Sequence, residues 1–233
     1  MIDPKRLLDQ FLGSRGPGGQ SDMRSHTDRV TKFAKDNPLA TGALVAVLLG
    51  TGKGRKLATG ALKLGGLGAI AGLAYKAYQD YQAGKKPGDS AKQDQLLLPP
   101  PQDTPFNPAL APQGEGEFAL ALVRAMIAAA RADGHIDEAE RRKITERLRE
   151  SGIDQEVETF IAGELQRPID VDALVAAART EEQRLELYTA SRLTIEPETR
   201  AERGYLDMLA GRLNLPDALV DHVEATVTAT VAS

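Results

Sequence analysis

The chain has 233 residues, 42% hydrophobic and 4% aromatic, with no cysteine and a formal net charge of −4. Without thiols it has no disulfides, thiolate metal sites or cysteine nucleophiles. Residues 1–114 carry a net +6 and residues 115–233 a net −10; the only basic excess lies in the apolar, Gly-rich half, so nucleic acid is not an expected partner.

Residues 1–36 read as a polar segment with one short amphipathic helix. Asp3-Pro4 caps and starts it, and Leu7, Leu8, Phe11 and Leu12 share a face. A helix this short is unstable alone and needs a surface to dock on. No cleavable signal peptide is expected, because these residues lack an apolar core.

Residues 37–83 form a Gly-rich apolar segment expected to associate with a membrane. Its first run, Leu39 to Leu49, would reach only ~16 Å as a helix, against a hydrocarbon core of ~30 Å. The following Gly50-Thr51-Gly52-Lys53-Gly54 is not a phosphate loop: Val47 holds the first glycine place and Gly54 replaces the hydroxyl. Residues 57–78 are the best span, with Lys63 as the main liability at ~2.5–3.5 kcal/mol if central. Gly68 and Gly72 form a G-x-x-x-G that suits helix packing in lipid and hence a homo-oligomer. Tyr75, Tyr78 and Tyr81 suit an aromatic interface belt. The competing reading is a soluble Gly/Ala helix folding against Leu39 to Leu49. Residues 84–114, with runs such as Pro99-Pro100-Pro101, read as an extended Pro-rich linker.

Residues 115–233 read as an all-α domain of about seven helices, given their Ala, Leu, Glu and Arg content and few β-branched runs. Apolar spacing places helices near Glu115 to Ala132 and Asp137 to Ser151, a third through Val157, Phe160, Ile161 and Leu165 that stops before Pro168, and a fourth through Val171, Leu174, Val175 and Ala178. A fifth opens at Thr180, Leu206, Leu209 and Leu213 mark a sixth, and Pro216 starts a seventh with Leu219, Val223 and Val227. The first is apolar on most sides and belongs in the core. Thr180-Glu181-Glu182-Gln183 has the form of a capping box opening the fifth, with Leu185 and Tyr188 facing inward.

The stretch of greatest interest is Ala132-Asp133-Gly134-His135-Ile136-Asp137-Glu138-Ala139-Glu140. Its glycine turn brings Asp133, Asp137 and Glu140 together between two helices. An EF-hand is rejected, because its first ligand places fall on Ala129 and Arg131. Two readings remain: an ordinary helix connection with N-terminal acids, and an acidic site for a cation or partner. A weak internal repeat relates Ala139-Glu140-Arg141 to Ala201-Glu202-Arg203, bringing Glu196, Glu198 and Glu202 into consideration. Of the three histidines, only His135 lies within an acidic turn, and none are at helical metal-ligand spacing. No nucleophile setting or carboxylate cleft stands out, so an enzyme is not expected.

The residues ALVRAMIAAARADGHIDEAERRKI resemble the opening of the TerB-like tellurite-resistance domain. The opening Lys5 to Gly13, the Gly-rich Gly50 to Ala58 and the helical remainder resemble the uncharacterised inner-membrane family that includes YebE. The resemblance implies a bacterial inner-membrane protein and a two-sided acidic cluster for a divalent cation, Ca2+ or Mg2+. Here that cluster would be Asp133, Asp137 and Glu140 facing Glu196, Glu198 and Glu202. The leading expectation is a non-catalytic, membrane-anchored module that binds a cation or protein partner, with a role in envelope or metal stress. The side of the C-terminal domain leans to periplasmic. The alternative is a structural membrane protein self-associating through its Gly-rich segment, with a passive acidic domain; a phosphate-ester hydrolase is a distant third.

Overall fold

The computed structural model describes residues 67–89, 99–132 and 155–232. Among these residues there are seven α-helices, one 3-10 turn and no strand. The helices are α1 (Leu67–Gln82), α2 (Glu115–Ala130), α3 (Gln155–Gln166), α4 (Val171–Ala177), α5 (Glu181–Thr194), α6 (Arg200–Arg212) and α7 (Asp217–Ala232); the 3-10 turn is Pro108–Leu110. The helix expected near 137–151 lies outside the described residues.

Helix α5 is the centre of the domain, packing against α1, α2, α6 and α7. Every residue from Leu185 to Thr194 is buried, although many are polar. Their polar groups are largely met. Thr189 and Thr194 hydroxyls donate to carbonyls one turn back, those of Leu185 and Ala190. The Ser191 hydroxyl reaches the Ala125 carbonyl of α2 at 3.5 Å, which requires close backbone approach. Alanines on both helices allow it: Ala121, Ala125 and Ala190 are all buried. Arg192 donates to Glu224 at 2.5 Å, to the Ile195 carbonyl at 3.0 Å and to Thr228 at 3.1 Å, locking α5 to α7. Tyr188 adds a hydrogen bond to Glu224 at 2.9 Å. Burial first, then the Glu224 carboxylate, pushes its phenol far above the usual tyrosine range.

The largest departure from the sequence expectation is α1. Residues 67–78 were the second half of the expected span, yet Ile70, Leu73, Ala74 and Ala77 are buried in the same core as α5 and α7. Gly68 and Gly72 therefore sit on a helix covered by this domain, and an added Cβ at Gly68 would meet Pro99 at 3.9 Å. The tyrosines face protein too: Tyr75 and Tyr78 each lie 5.5 Å from the Phe106 ring, and Tyr81 lies 6.0 Å from His222. No helix among the described residues is long and apolar enough to cross a membrane.

The second departure follows from the first. Phe106 is buried in the core, and the Gln113 amide donates to the Ala177 carbonyl at 2.9 Å. Residues 99–114 are thus held against the helices rather than extended away from them, and the boundary expected at 84–114 does not part α1 from α2. The prolines permit this, since they fix extended or turn conformations and need no N–H partner.

Candidate functional site

The expected acidic cluster is only half within the described residues. Asp133, Asp137 and Glu140 lie outside them, two or more residues beyond Arg131. Of the other half, Glu196 and Glu198 occupy the connection between α5 and α6, and Glu202 lies in the first turn of α6. Thr199 caps α6 in a complete capping box: its hydroxyl accepts from the Glu202 N–H at 3.1 Å, and Glu202 Oε2 accepts from the Thr199 N–H at 2.7 Å. The same Oε2 also accepts from the Glu198 N–H at 3.0 Å. Arg203 then binds the carbonyls of Pro197 and Glu198, at 3.1 and 2.8 Å.

One oxygen of Glu202 is thus a structural acceptor, while Glu196 and Glu198 extend from an exposed, well-fixed turn. Among the described residues no group of three His, Cys, Asp or Glu has metal-site geometry. The capping box expected at Thr180 forms only by half. Thr180 accepts from the Gln183 N–H at 3.2 Å, but the Gln183 side chain exchanges hydrogen bonds with Gln113 instead.

A second feature was not singled out in the sequence. A cleft of about 960 Å3 opens between α2 on one wall and the end of α3 with α4 on the other. Its floor includes Leu120, Ala128 and Leu174, and Arg124, Arg131, Arg167 and Arg179 line it. Arg124 and Arg167 both donate to a single oxygen, Oε1 of Glu164, at 3.2 and 2.8 Å. Arg124 also lies over the Phe160 ring at 5.7 Å. Arg131 donates to the Arg167 carbonyl at 2.6 Å, bringing a third guanidinium to the same end. A legible signal existed: Arg124 and Arg131 are the only charged residues in the last ten positions of Val123-to-Ala132, seven apart on an otherwise apolar helix.

A third feature is Glu186, buried in the middle of α5 with its Oε1 lacking any hydrogen-bond partner. Burial, then the nearby Glu182 carboxylate, raises its pKa well above the usual glutamate value.

An all-helical domain built around one polar-faced central helix is the class that this architecture defines. The family model described as "Protein of unknown function (DUF533)" matches residues 34–227, and the chain belongs to that family. A Yersinia enterocolitica protein described as "Uncharacterized protein in ampR 5'region" is 34% identical over 106 residues. That match covers 46% of this chain and 76% of the relative. No solved structure matches the chain.

Proposed function

We propose that this protein is a non-catalytic helical binding module, attached to the bacterial inner membrane, whose acidic connections engage a divalent cation or a protein partner. The observation that carries the reading is the α5–α6 turn. Its capping box fixes the backbone at Glu198 and Thr199 and leaves Glu196 and Glu198 on an exposed surface. Hard cations such as Ca2+ and Mg2+ take oxygen ligands, and a pre-fixed turn lowers the ordering cost of binding. Asp133, Asp137 and Glu140 would complete the site, as the TerB-like resemblance implies.

Attachment to the membrane is assigned to the apolar residues that precede α1, because α1 itself is covered by the domain core. For the same reason self-association through Gly68 and Gly72 would require α1 to leave that core, and the alternative structural reading is the weaker one.

Calorimetric titration of Ca2+ and of Mg2+ into the full chain tests the cation. Saturable binding that weakens at least tenfold in Asp133→Asn and in Glu198→Gln is the expected result. Binding that is absent, or indifferent to both substitutions, removes the cation and leaves only the partner surface. Membrane fractionation of cells expressing the full chain tests attachment, and recovery wholly in the soluble fraction refutes it.

A further inference from the structure

The arginine-lined cleft includes no residue of the α5–α6 turn and calls for a ligand of opposite charge. We propose that it binds a small soluble phosphomonoester, with the phosphate held by Arg124, Arg131 and Arg167 and an apolar body lying along Leu120 and Leu174.

Residues 99–132 and 155–232 contain nine arginines, no lysine and eighteen carboxylates, yet the cleft takes four of the arginines and only three of the carboxylates. Positive charge is therefore concentrated there against the trend of the domain, as in clefts that focus an opposite charge. At the α3 end the imbalance is local. One carboxylate, Glu164, serves two guanidiniums through one oxygen, and the third guanidinium is pinned by a neutral carbonyl. Asp170, which also lines the cleft, is committed as the α4 cap by accepting from the Ala173 N–H at 2.9 Å. Counted whole, the four guanidiniums of the cleft exceed Glu117, Glu164 and Asp170 by one charge, and at the α3 end Arg124, Arg131 and Arg167 exceed Glu164 by two, the sign that a phosphate of −1.5 to −2 at neutral pH requires.

The guanidiniums are also held in place before any ligand arrives. Glu164 orients Arg124 and Arg167, Phe160 backs Arg124, and the Arg167 carbonyl fixes Arg131. Planar, pre-oriented forks suit phosphate oxygens better than mobile ammonium groups. The apolar floor gives the non-phosphate part of the ligand a place to lie, as in ordinary small-molecule sites of this size.

Calorimetry of the full chain with inorganic phosphate and with hexyl phosphate tests the assignment. Saturable binding of both is expected, hexyl phosphate being the tighter. Arg131→Gln and Arg167→Gln should each weaken hexyl phosphate about tenfold, the scale of a charge-assisted hydrogen bond. Arg167→Lys, which keeps charge and loses the fork, should weaken it less. Arg200→Gln, an exposed arginine outside the cleft, should leave it unchanged. The Arg167 side chain is 68% exposed, so its removal leaves the core intact, with circular dichroism as the check.

Absence of saturable binding, or equal weakening by Arg200→Gln, overturns the proposal. Binding to phosphatidic acid vesicles that falls in Arg131→Gln, with no binding of hexyl phosphate, overturns the soluble source in favour of a lipid headgroup. None of these outcomes depends on the cation site, so the two readings fail separately.

Discussion

Glu186 is the residue whose placement most opposes its chemistry. An ionised carboxylate there would be desolvated with one oxygen unpaired, a cost of about 1–3 kcal/mol or more. Because its folded pKa is raised, the folded state holds the proton over a pH range in which the unfolded state, near 4.3, has lost it. Stability from this group is therefore greatest below the unfolded value and declines as pH rises towards the folded one. Glu186→Gln should remove that decline. The urea stability difference between variant and wild type should be smallest near pH 4.5 and grow in the variant's favour towards pH 8, by about 1 kcal/mol or more. A difference that stays flat across this range would mean that Glu186 is not held protonated by the fold.

At the scale of elements, helix ends explain more than helix interiors. Helix α6 begins in a full capping box and ends with Asn214 at φ 55, the left-handed conformation that asparagine tolerates better than most residues. There the Leu215 N–H reaches the Ala210 carbonyl and the Asn214 N–H the Gly211 carbonyl, satisfying groups that the last turn leaves open. Helix α1 ends in the same way at Gly84, φ 63, with the Lys85 N–H on the Asp80 carbonyl. The start of α6 bears on function. Glu202→Ala should lower the stability of the metal-free protein by about 1 kcal/mol, the usual worth of a cap, as read from the urea midpoint. No loss without cation would mean that Glu202 serves as a ligand rather than a cap.

For the whole molecule the decisive fact is that α1 and α2 share a core despite the Pro-rich stretch between them. Ile70 and Leu73 are almost fully buried, and burial of such side chains is worth about 1.5–3 kcal/mol each. Together with Ala74, Ala77 and Phe106 this approaches the net stability of a typical domain, about 5–15 kcal/mol. A chain beginning at Gly114 should accordingly lose cooperative thermal unfolding, whereas one beginning at Leu67 should retain it. Equal melting temperatures for the two would show that α1 is a detachable segment, as the linker reading of 84–114 had it.

Local chemistry was enough to place most of the helices. Apolar spacing, Pro168, Pro216 and the acid-rich helix starts are short-range signals, and six of the seven helices expected after residue 114 fall where those signals put them. The uneven charge along the chain was equally plain in the residues. Tertiary structure alone decided what covers each helix. A Gly- and Ala-rich apolar helix carries the same pattern whether lipid or protein lies against it, so α1 read as half a span until α5 and α7 were seen to bury it. Helix α5 showed only Leu185 and Tyr188 as inward-facing in its sequence; partners as remote as Gln113 and Thr228 let its polar residues be buried as well. The arginine cleft likewise joins residues 36 to 43 positions apart, a convergence that periodicity within one helix does not encode.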